Sequence, residues 1–451
     1  MKILLIGCGT IGETILKQLS NKEHTITIVD TDKNKIQHLI EKYDVNGIIG
    51  NGASIDILNE ADIKNHDLLI ATSSSDEINI LACLMAKKLG CEETIARVRN
   101  PEYFNQSSLI KDGLGISMIV NPDLDTAREI LNMINLPSIA KIETFAMGKV
   151  TLVEILIDKN NPLIGETLIS INKKLKTKVL ICAIQRGQKV IIPDGNFKIA
   201  RGDRIHFTAD TSSLNSFLLE LDLIKTPLKN IMIIGGNRMA YYLSKELSSK
   251  KYNVKLIEQR KQRAEELATL LPKATVICGD GTDHDLLLEE GIENMDSVVS
   301  LTNVDEENII VSMYANKLNV KKTISKIQKD GLVGIIGELD ILNPVSPKYI
   351  IANKIVSYVR ALSNRRGSNV TTLYKLVDEE VEALEFIAKQ DNEIYNKPLR
   401  DLKFKNNCLV ACIIRKNEVI IPDGNSNIQK NDNVVVVTTH KGFDDLNDII
   451  A

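Results

Sequence analysis

The chain repeats itself, and this internal repeat constrains the fold more than any other feature of the sequence. The segment GNGASIDIL, which begins at Gly50, resembles GDGTDHDLL, which begins at Gly279, 229 positions later. The heptapeptide VIIPDGN begins at Val190 and recurs at Val419, again 229 positions later. Composition alone does not produce so constant an offset along a chain, so we infer two copies of one structural unit.

Length and composition narrow the class of protein. At 451 residues the chain is too long for one hydrophobic core, which predicts about three or four domains. Charged residues make up 25% and hydrophobic residues 43%, values typical of a soluble protein. The net charge of −3 gives no overall basic field for nucleic acid. Because the longest apolar runs have only the length of a strand, we expect no membrane span. The N-terminus enters a strand directly, without a basic n-region or cleavage site, so we expect no signal peptide.

The cysteines and histidines do not suggest a metal site. The seven cysteines form no CxxC pair, and no histidine lies near a cysteine at a spacing typical of zinc ligands. Reduced thiols in core positions are therefore expected.

The first part of each copy alternates short apolar strands with amphipathic helices. In the first copy the strands KILLIG, TITIVD, DLLIATS and TIARVR are separated by segments such as EINILACLMAKKLG, whose apolar residues follow helical spacing. This alternation predicts a parallel sheet with helices on both faces. The fold class is therefore α/β, with a Rossmann-like parallel-sheet domain in each copy.

The second part of each copy contains short strands with little room for helices. In the first copy these are KVTLVEILI, KVLICAIQR, KVIIPDGN and DRIHFTA, which predict a small, largely antiparallel β/α domain. The predicted domains are a first large domain (1–138), a first small domain (139–222), a second large domain (228–365) and a second small domain (366–451), with a linker at 222–229.

A glycine-rich turn follows the first strand. It has the pattern G-x-G-x-x-G and consists of Gly7, Cys8, Gly9, Thr10, Ile11 and Gly12. In such a domain the first glycine permits a tight turn, the second lets the backbone approach a pyrophosphate, and the third lets helix and strand pack closely. The phosphates then lie at the helix N-terminus, where free N–H groups and the helix dipole favour negative charge.

Polar residues follow other strands at the same edge of the predicted sheet. Asp30 ends the second strand, where a carboxylate accepts hydrogen bonds from ribose hydroxyls and repels a 2′-phosphate, which favours NAD or adenosine nucleotides over NADP. Thr72 and Ser73 follow the fourth strand, and Arg97 ends the fifth. The pattern predicts a nucleotide site; a structural glycine turn without a ligand is the alternative.

The second copy departs from the glycine pattern. Its turn reads Gly235, Gly236, Asn237, Arg238, Met239 and Ala240, and Glu258 keeps the acid. The side chain of Asn237 narrows the approach of a pyrophosphate, and Arg238 adds a cation suited to phosphate. We predict a divergent nucleotide site here, with a purely structural domain as the alternative.

Residues of common catalytic sites are missing. The sequence has no G-x-x-x-x-G-K-[ST] loop and no G-x-S-x-G motif. His206 and His440 of the small domains are not at equivalent positions and have no evident carboxylate partner. Because hydride transfer needs a general acid or base beside the substrate, we predict a nucleotide sensor without catalytic residues, not an enzyme.

Taken together, these motifs resemble the TrkA family of peripheral subunits of Trk potassium-uptake systems. The resemblance rests on the duplication, on LLIATSSSDEIN and IARVRNPEY around the fourth and fifth strands, and on VIIPDGN in both small domains. It implies paired RCK (also called KTN) units, NAD(H) as a ligand with ATP and ADP as further candidates, and a cytoplasmic location on the inner face of the plasma membrane. It also implies a homo-oligomeric RCK ring and a membrane-embedded, potassium-translocating partner of the TrkH or TrkG type.

The resemblance further implies roles for individual residues. In the first large domain Gly7 to Ile11 hold the phosphates, Asp30 holds the ribose, and Thr72, Ser73 and Arg97 line the rest of the cleft. The corresponding residues of the second large domain are Gly235 to Met239, Glu258, Leu301, Thr302 and Lys326. Leu301 lacks the hydroxyl of Thr72, which argues against identical ligands in the two copies. The helices through which RCK units pair correspond to the segments that begin at Asn121 and Asn343.

Two other functions stay open at this point. The chain can regulate a different cation transporter, such as an antiporter, or it can be an NAD-dependent oxidoreductase, which the missing catalytic groups disfavour.

Overall fold

The computed structural model describes most of the chain. The described residues are 1–451 without 21–23, 136–139, 146–149, 158–160, 188, 211–216, 219, 221–227, 333–342, 366–369, 377–380, 389–393, 417 and 444. Most of the predicted linker, residues 222–227, therefore lies outside the described residues.

The first large domain is a six-stranded parallel sheet covered by helices. Its elements are β1 (Lys2–Ile6), α1 (Thr10–Leu19), β2 (Thr25–Asp30), α2 (Lys33–Tyr43), β3 (Asn46–Ile49), α3 (Ile55–Glu60), β4 (Leu68–Ala71), α4 (Asp76–Leu89), β5 (Glu93–Arg97), α5 (Pro101–Asn105), α6 (Ser107–Leu114), β6 (Met118–Val120) and α7 (Pro122–Asn135). The strand order is β3-β2-β1-β4-β5-β6. The order reverses between β1 and β4, and sheets of this kind bind ligands at the carboxyl ends of the strands at that point.

The first small domain is a five-stranded sheet with antiparallel pairing. Its elements are β7 (Ala140–Phe145), β8 (Val150–Leu156), α8 (Leu168–Lys174), β9 (Leu180–Arg186), β10 (Lys189–Ile191) and β11 (Arg204–Asp210), and its strand order is β10-β9-β11-β8-β7.

The second large domain repeats the first. Its elements are β12 (Asn230–Ile234), α9 (Arg238–Ser249), β13 (Asn253–Glu258), α10 (Lys261–Leu270), β14 (Thr275–Cys278), α11 (His284–Glu289), β15 (Ser297–Ser300), α12 (Asp305–Lys317), β16 (Lys322–Lys326), β17 (Asn343–Val345) and α13 (Pro347–Arg365). The order β14-β13-β12-β15-β16-β17, again all parallel, matches the first sheet strand for strand.

The second small domain also repeats its counterpart. Its strands are β18 (Val370–Leu376), β19 (Val381–Ile387), β20 (Cys408–Arg415), β21 (Glu418–Ile420) and β22 (Asn433–Thr438), in the order β18-β19-β22-β20-β21. The position of α8 is taken by a short 3₁₀ turn at Leu399–Asp401. The two small domains share a core that includes Leu152 and Cys182 from one and Ala411 and Val435 from the other. The fold predicted from the repeat and the strand–helix alternation is therefore confirmed.

Helix α7 joins the two large domains. Its apolar residues, which include Leu124, Ile130 and Ile134, lie in one core with Ile233 of β12 and Leu243 of α9. The two large domains, residues 1–134 and 228–356, therefore form one compact unit. The helix that begins after Asn121 lies at the contact between the copies, where the pairing prediction puts it.

Polar contacts join the large domains in addition to this core. Nε2 of Gln18 donates to Oδ1 of Asn353 at 2.9 Å, and Nζ of Lys354 lies 2.6 Å from Oδ1 of Asp125. These bonds tie both α1 and α7 of the first large domain to α13 of the second.

The described residues contain neither a membrane-spanning helix nor a metal-binding cluster. No helix among them is long and apolar enough to cross a membrane, and no group of His, Cys, Asp and Glu side chains there can hold a metal ion. All seven cysteines are free thiols; Cys408 is half-buried and Cys278 is exposed, so the expectation of core positions is wrong for Cys278.

Candidate functional site

The glycine turn of the first large domain needs glycine for two different reasons. Gly7 has a φ of +86°, and a Cβ there would lie 2.5 Å from the main-chain N of Ser73. A Cβ on Gly12 would lie far inside van der Waals contact with the carbonyl O of Gly7. The first glycine therefore permits the turn and the third permits close packing of α1 on β1, as predicted from the motif.

The middle glycine leaves the helix N-terminus open. Gly9 is the N-cap of α1, and no side chain caps that helix by a hydrogen bond. A Cβ on Gly9 would meet no atom within 4 Å, and both Gly9 and Thr10 are exposed. The first turn of α1 thus presents main-chain N–H groups to open space, which is the arrangement that binds phosphate.

Asp30 is tied to this turn by its carboxylate. Oδ2 accepts the N–H of Cys8 at 2.7 Å, and Oδ1 accepts the N–H of Asp32 at 3.0 Å. The carboxylate is half-buried beside the turn, where it can accept further hydrogen bonds. Burial, with the charge of Asp30, raises the pKa of the Cys8 thiol to about 12, so this buried thiol stays protonated and is a poor nucleophile.

Thr72, Ser73 and Arg97 lie together at the carboxyl ends of β4 and β5. Oγ1 of Thr72 donates to the carbonyl O of Gly7 at 3.0 Å, and Nη1 of Arg97 donates to the carbonyl O of Ser73 at 2.6 Å. The hydroxyl of Ser73 donates to Oδ1 of Asn79 at 2.8 Å. The structure brings these residues to the same edge as the glycine turn.

Charges of both signs surround Arg97. Burial lowers the pKa of the Arg97 guanidinium and the charge of Arg99 lowers it further, while the carboxylates of Asp76 and Asp123 oppose this shift. Its Nε is buried without a hydrogen-bond partner among the described residues. A guanidinium at this edge of the sheet is suited to an anion.

The second large domain keeps the tight turn but closes it. Gly235 has a φ of +96° and packs against the main chain of Thr302. Asn237 is the N-cap of α9: its Oδ1 accepts the N–H of Ala240 at 3.0 Å, and its Nδ2 donates to the carbonyl O of Leu301 at 2.6 Å. The side chain at the second-glycine position therefore bridges the helix N-terminus and the end of β15.

The acid of this domain is buried and paired. Oε2 of Glu258 accepts the N–H of Gly236 at 2.7 Å, and Oε1 accepts both the N–H and the Nε–H of Arg260 at 2.9 Å. Burial raises the pKa of Glu258, but the hydrogen bonds from Arg260 and Gly236 outweigh it and hold the pKa below its usual value. Nε of Arg263 donates to the carbonyl O of Gly236 at 2.9 Å.

The other predicted residues of the second large domain lie at its sheet edge or in its core. The side chains of Met239 and Leu301 belong to the core, which leaves only their main chain for a ligand. Lys326 is 3% exposed, its Nζ donates to Oδ1 of Asn303 at 3.2 Å, and burial lowers its pKa. Arg238, in contrast, is exposed at the start of α9.

Sequence reasoning missed three residues that organise the site. Asn79, and Asn308 in the second copy, bond to the residue after the fourth strand and to the carbonyl at the end of the fifth. Their recurrence in SDEINI and VDEENI was the available signal. Arg99 also lies here: its Nε is 2.9 Å from Oδ2 of Asp123 at the start of α7. No sequence spacing indicates that ion pair.

The loop after β3 borders the same edge and was also missed. Asp30 and Ile49 are register partners at the ends of β2 and β3, so residues 50–54 begin beside the acid. The repeat of this loop as GDGTD in the second copy was the signal that it has a structural or binding role.

The sequence has recognisable relatives. The TrkA-N domain family matches residues 3–122 and 231–347, and the TrkA-C domain family matches residues 152–222 and 384–451. The Trk system potassium uptake protein TrkA of Vibrio alginolyticus is 31% identical over 98% of this chain and 97% of its own length. The TrkA homolog 1 of Methanosarcina mazei is 32% identical over 97% of each chain.

Solved structures share the fold. The GsuK channel superposes with a TM-score of 0.64 at 18% identity, and the match covers 98% of this chain and 77% of that one. The GsuK channel bound to NAD gives a TM-score of 0.63 at 17% identity, with the same coverage. At these identities the likeness extends to the fold.

Proposed function

This chain belongs to the TrkA family of Trk system potassium uptake proteins, and we propose that it is the nucleotide-sensing regulatory subunit of such a system. In this role it acts on the inner face of the plasma membrane and gates a membrane-embedded partner that translocates potassium. The observation that carries the nucleotide part is the open N-terminus of α1 at Gly9, which lies beside the carboxylate of Asp30 and the cluster around Arg97.

The residues of the first large domain fit a dinucleotide such as NAD(H), and ATP and ADP are further candidates. Main-chain N–H groups of α1 take the phosphates, the carboxylate of Asp30 takes ribose hydroxyls, and the half-buried Arg97 lines the rest of the cleft. A structure with the same fold is described as bound to NAD, which makes NAD(H) the first ligand to test. When bound, the nucleotide supplies charge and shape; the proposed role requires no redox step.

The chain itself provides a route from this cleft to the second large domain. The main-chain N–H of Arg99 donates to Asp76, and the Arg99 side chain pairs with Asp123 at the start of α7. Next to it, Nδ2 of Asn121 donates to the hydroxyl of Tyr242 on α9 at 3.3 Å. A shift at the end of β5 therefore reaches α7, whose apolar face lies in the core of the second large domain.

A nucleotide changes the arrangement of the domains only if its affinity differs between two such arrangements. If it binds one arrangement tenfold more tightly, it shifts the equilibrium by about 1.4 kcal/mol. A ring of several chains, which we propose as the functional assembly, would sum such shifts and transmit them to the membrane partner.

Matched apolar surfaces on α4 and α12 support ring assembly. Leu81 of α4 and Ile310 of α12 occupy equivalent positions of the two copies and are both exposed, and Met313 is exposed one turn further along α12. Exposed apolar residues at equivalent positions on two helices are suited to contacts between copies of one chain.

Calorimetric titration of the full chain with NADH and ADP tests the nucleotide part. We expect saturable binding that Asp30→Ala weakens at least tenfold, because the substitution removes the ribose acceptor. Asp32→Ala is the matched control, since this neighbouring carboxylate caps α2 and accepts the N–H groups of Asn34 and Lys35. Absence of binding at millimolar NADH and ADP would refute the proposal.

Potassium uptake tests the physiological part. The chain and its membrane partner are expressed in cells that lack their own uptake system, and rubidium influx is measured. We expect influx to need the chain and to respond differently to nucleotide in the Asp30→Ala variant. Consumption of NADH by the purified chain with any metabolite of a test panel would favour the oxidoreductase alternative.

A further inference from the structure

The two clefts of the large-domain unit differ in what fills them. At the position of Gly9, where the first large domain leaves open space, the second carries the carboxamide of Asn237 with both ends bonded to its own domain. We propose that Asn237 is a built-in substitute for a nucleotide and that the second large domain binds no dinucleotide. This inference rests on the proposed function, because it decides which cleft senses the nucleotide.

Asn237 occupies a main-chain N–H donor at the N-terminus of α9. A phosphate at this place binds through main-chain N–H groups of the first helical turn. Oδ1 of Asn237 already accepts the N–H of Ala240, the third residue of α9. A phosphate that takes the N–H of Ala240 must break this bond and move a side chain that the bond from Nδ2 to Leu301 also holds in place.

Side chains pack closely against the glycine turn of the second large domain. Gly236 follows directly on the tight turn, and a Cβ there would lie 2.6 Å from Cδ1 of Leu267 and 2.7 Å from Oε2 of Glu258. The surface beside the turn is therefore packed with side chains of α10 and β13. The equivalent residue of the first large domain is Cys8, whose side chain is also buried, so the two turns differ one residue further on, where a Cβ on Gly9 would meet nothing within 4 Å.

The carboxylate of Glu258 already accepts hydrogen bonds from its own domain. Glu258 is 6% exposed and its two oxygens hold three donors, one of them the guanidinium of Arg260. A ribose that binds this carboxylate competes with donors of the domain itself, one of them charged. Asp30 is half-buried and bonds main-chain N–H groups of its own turn, so its charge is not matched by an arginine in the same way.

The cations that end the fifth strands, Arg97 and Lys326, differ in their surroundings. Arg97 keeps a buried Nε without a partner among the described residues. Lys326, at the equivalent position, is almost fully buried and donates to Asn303 of its own domain. The cation at this position is therefore withdrawn further from the cleft in the second large domain, where Lys326 is almost fully buried, than in the first, where Arg97 is half-buried.

The consequence is one nucleotide signal per chain. The first large domain changes with its ligand, while the second holds α9 in a fixed position against α7. In a ring of these chains, half of the Rossmann-like domains then respond to the nucleotide. The other half bind none and keep one conformation.

Hydrogen–deuterium exchange of the full chain, with and without saturating NADH, tests this directly. We expect NADH to protect residues 10–14 at the start of α1 and to leave residues 238–242 at the start of α9 unchanged. Calorimetry on the same sample should give one equivalent per chain, lost in Asp30→Ala and retained in Glu258→Gln. Because both substitutions remove native hydrogen bonds, the unfolding temperature of each variant is measured first, and the wild-type exchange result needs neither variant.

A variant of Asn237 tests the substitute itself. In ligand-free Asn237→Ala, exchange in the segment that contains the Ala240 amide should be about fivefold faster, the effect of losing one N-cap. Unchanged exchange would refute the role of Asn237. Protection at residues 238–242 by NADH, or two equivalents per chain, would refute the asymmetry but leave the proposed function intact. Failure of the wild-type chain to bind at all would refute both.

Discussion

The first and second large domains have the same strand order, yet the turn between their first strand and first helix is filled in different ways. In the first, the helix starts at Gly9 with its N–H groups facing open space. In the second, Asn237 caps the helix, and Glu258 is buried and accepts hydrogen bonds from Arg260. The same fold thus has an open cleft in the first copy. In the second copy, polar groups of the cleft are hydrogen-bonded within the domain.

This difference shows how a duplicated domain can change role without changing fold. The tight turn survives in both copies because Gly7 and Gly235 have the same left-handed backbone and pack on the residue after the fourth strand. The side chain at the second position of the glycine pattern differs, as Gly9 and Asn237 show. Four substitutions test this difference between the copies, in descending order of their expected effect on stability.

The largest effect is expected from exchanging the third position of the turn between the copies. Gly12→Ala should destabilise the chain by about 3 kcal/mol, because the methyl group overlaps the carbonyl O of Gly7. Ala240→Gly should cost only about 1 kcal/mol, the usual helix penalty of glycine. Urea unfolding followed by circular dichroism measures both. Equal costs would mean that the two turns pack alike.

The buried acid of the second copy should show in the pH dependence of stability. Because the pKa of Glu258 lies below its usual value, its charged form stabilises the fold above the unfolded-state pKa, and this stabilisation is lost as pH falls through the folded-state pKa. Glu258→Gln should cost about 2 kcal/mol at pH 7.

The same variant supplies the outcome that would contradict the pairing. The difference between wild type and Glu258→Gln should shrink as pH falls below about 4.3. Urea titrations at pH 7, 5, 4 and 3 measure it. A difference that stays constant over this range would exclude an ionised Glu258 as its source.

The contact between the copies should contribute a smaller, measurable amount. Tyr242→Phe removes the partner of the Asn121 amide, both of them buried, and should cost about 1 kcal/mol. Tyr241→Phe, at the half-buried neighbour, is the control and should cost less than half as much. If the two variants lose equal stability, the Asn121–Tyr242 bond does not hold the copies together.

Much of this architecture could be predicted from the sequence, because the repeat and the strand–helix alternation determine it. The apolar run before Gly7 gave β1, and the apolar spacing of EINILACLMAKKLG gave α4. Periodicity does not name a helix's partner, however. The apolar face of α7 is evident from the sequence, but its burial in the core of the other copy is not.

The site was predictable at the level of the main chain and not at the level of side chains. The motif indicates why Gly7 and Gly12 are glycine, since backbone geometry demands it. It does not indicate that Asn237 turns inward to cap α9, since an asparagine at that position can also point to solvent. The pairing of Arg99 with Asp123 depends on the approach of β5 and α7, which sequence spacing does not define.

Of the four substitutions, Gly9→Ala should change stability least, and it tests the nucleotide site most directly. Its φ of −73° suits any residue and a Cβ there meets nothing within 4 Å, so Gly9→Ala should leave the unfolding midpoint unchanged. The methyl group should nevertheless obstruct the approach of a pyrophosphate to α1. We therefore predict that calorimetric titration of this variant with NADH shows at least a tenfold loss of affinity relative to the wild-type chain. Wild-type affinity in a normally folded Gly9→Ala chain would contradict the assignment of this turn as the nucleotide site.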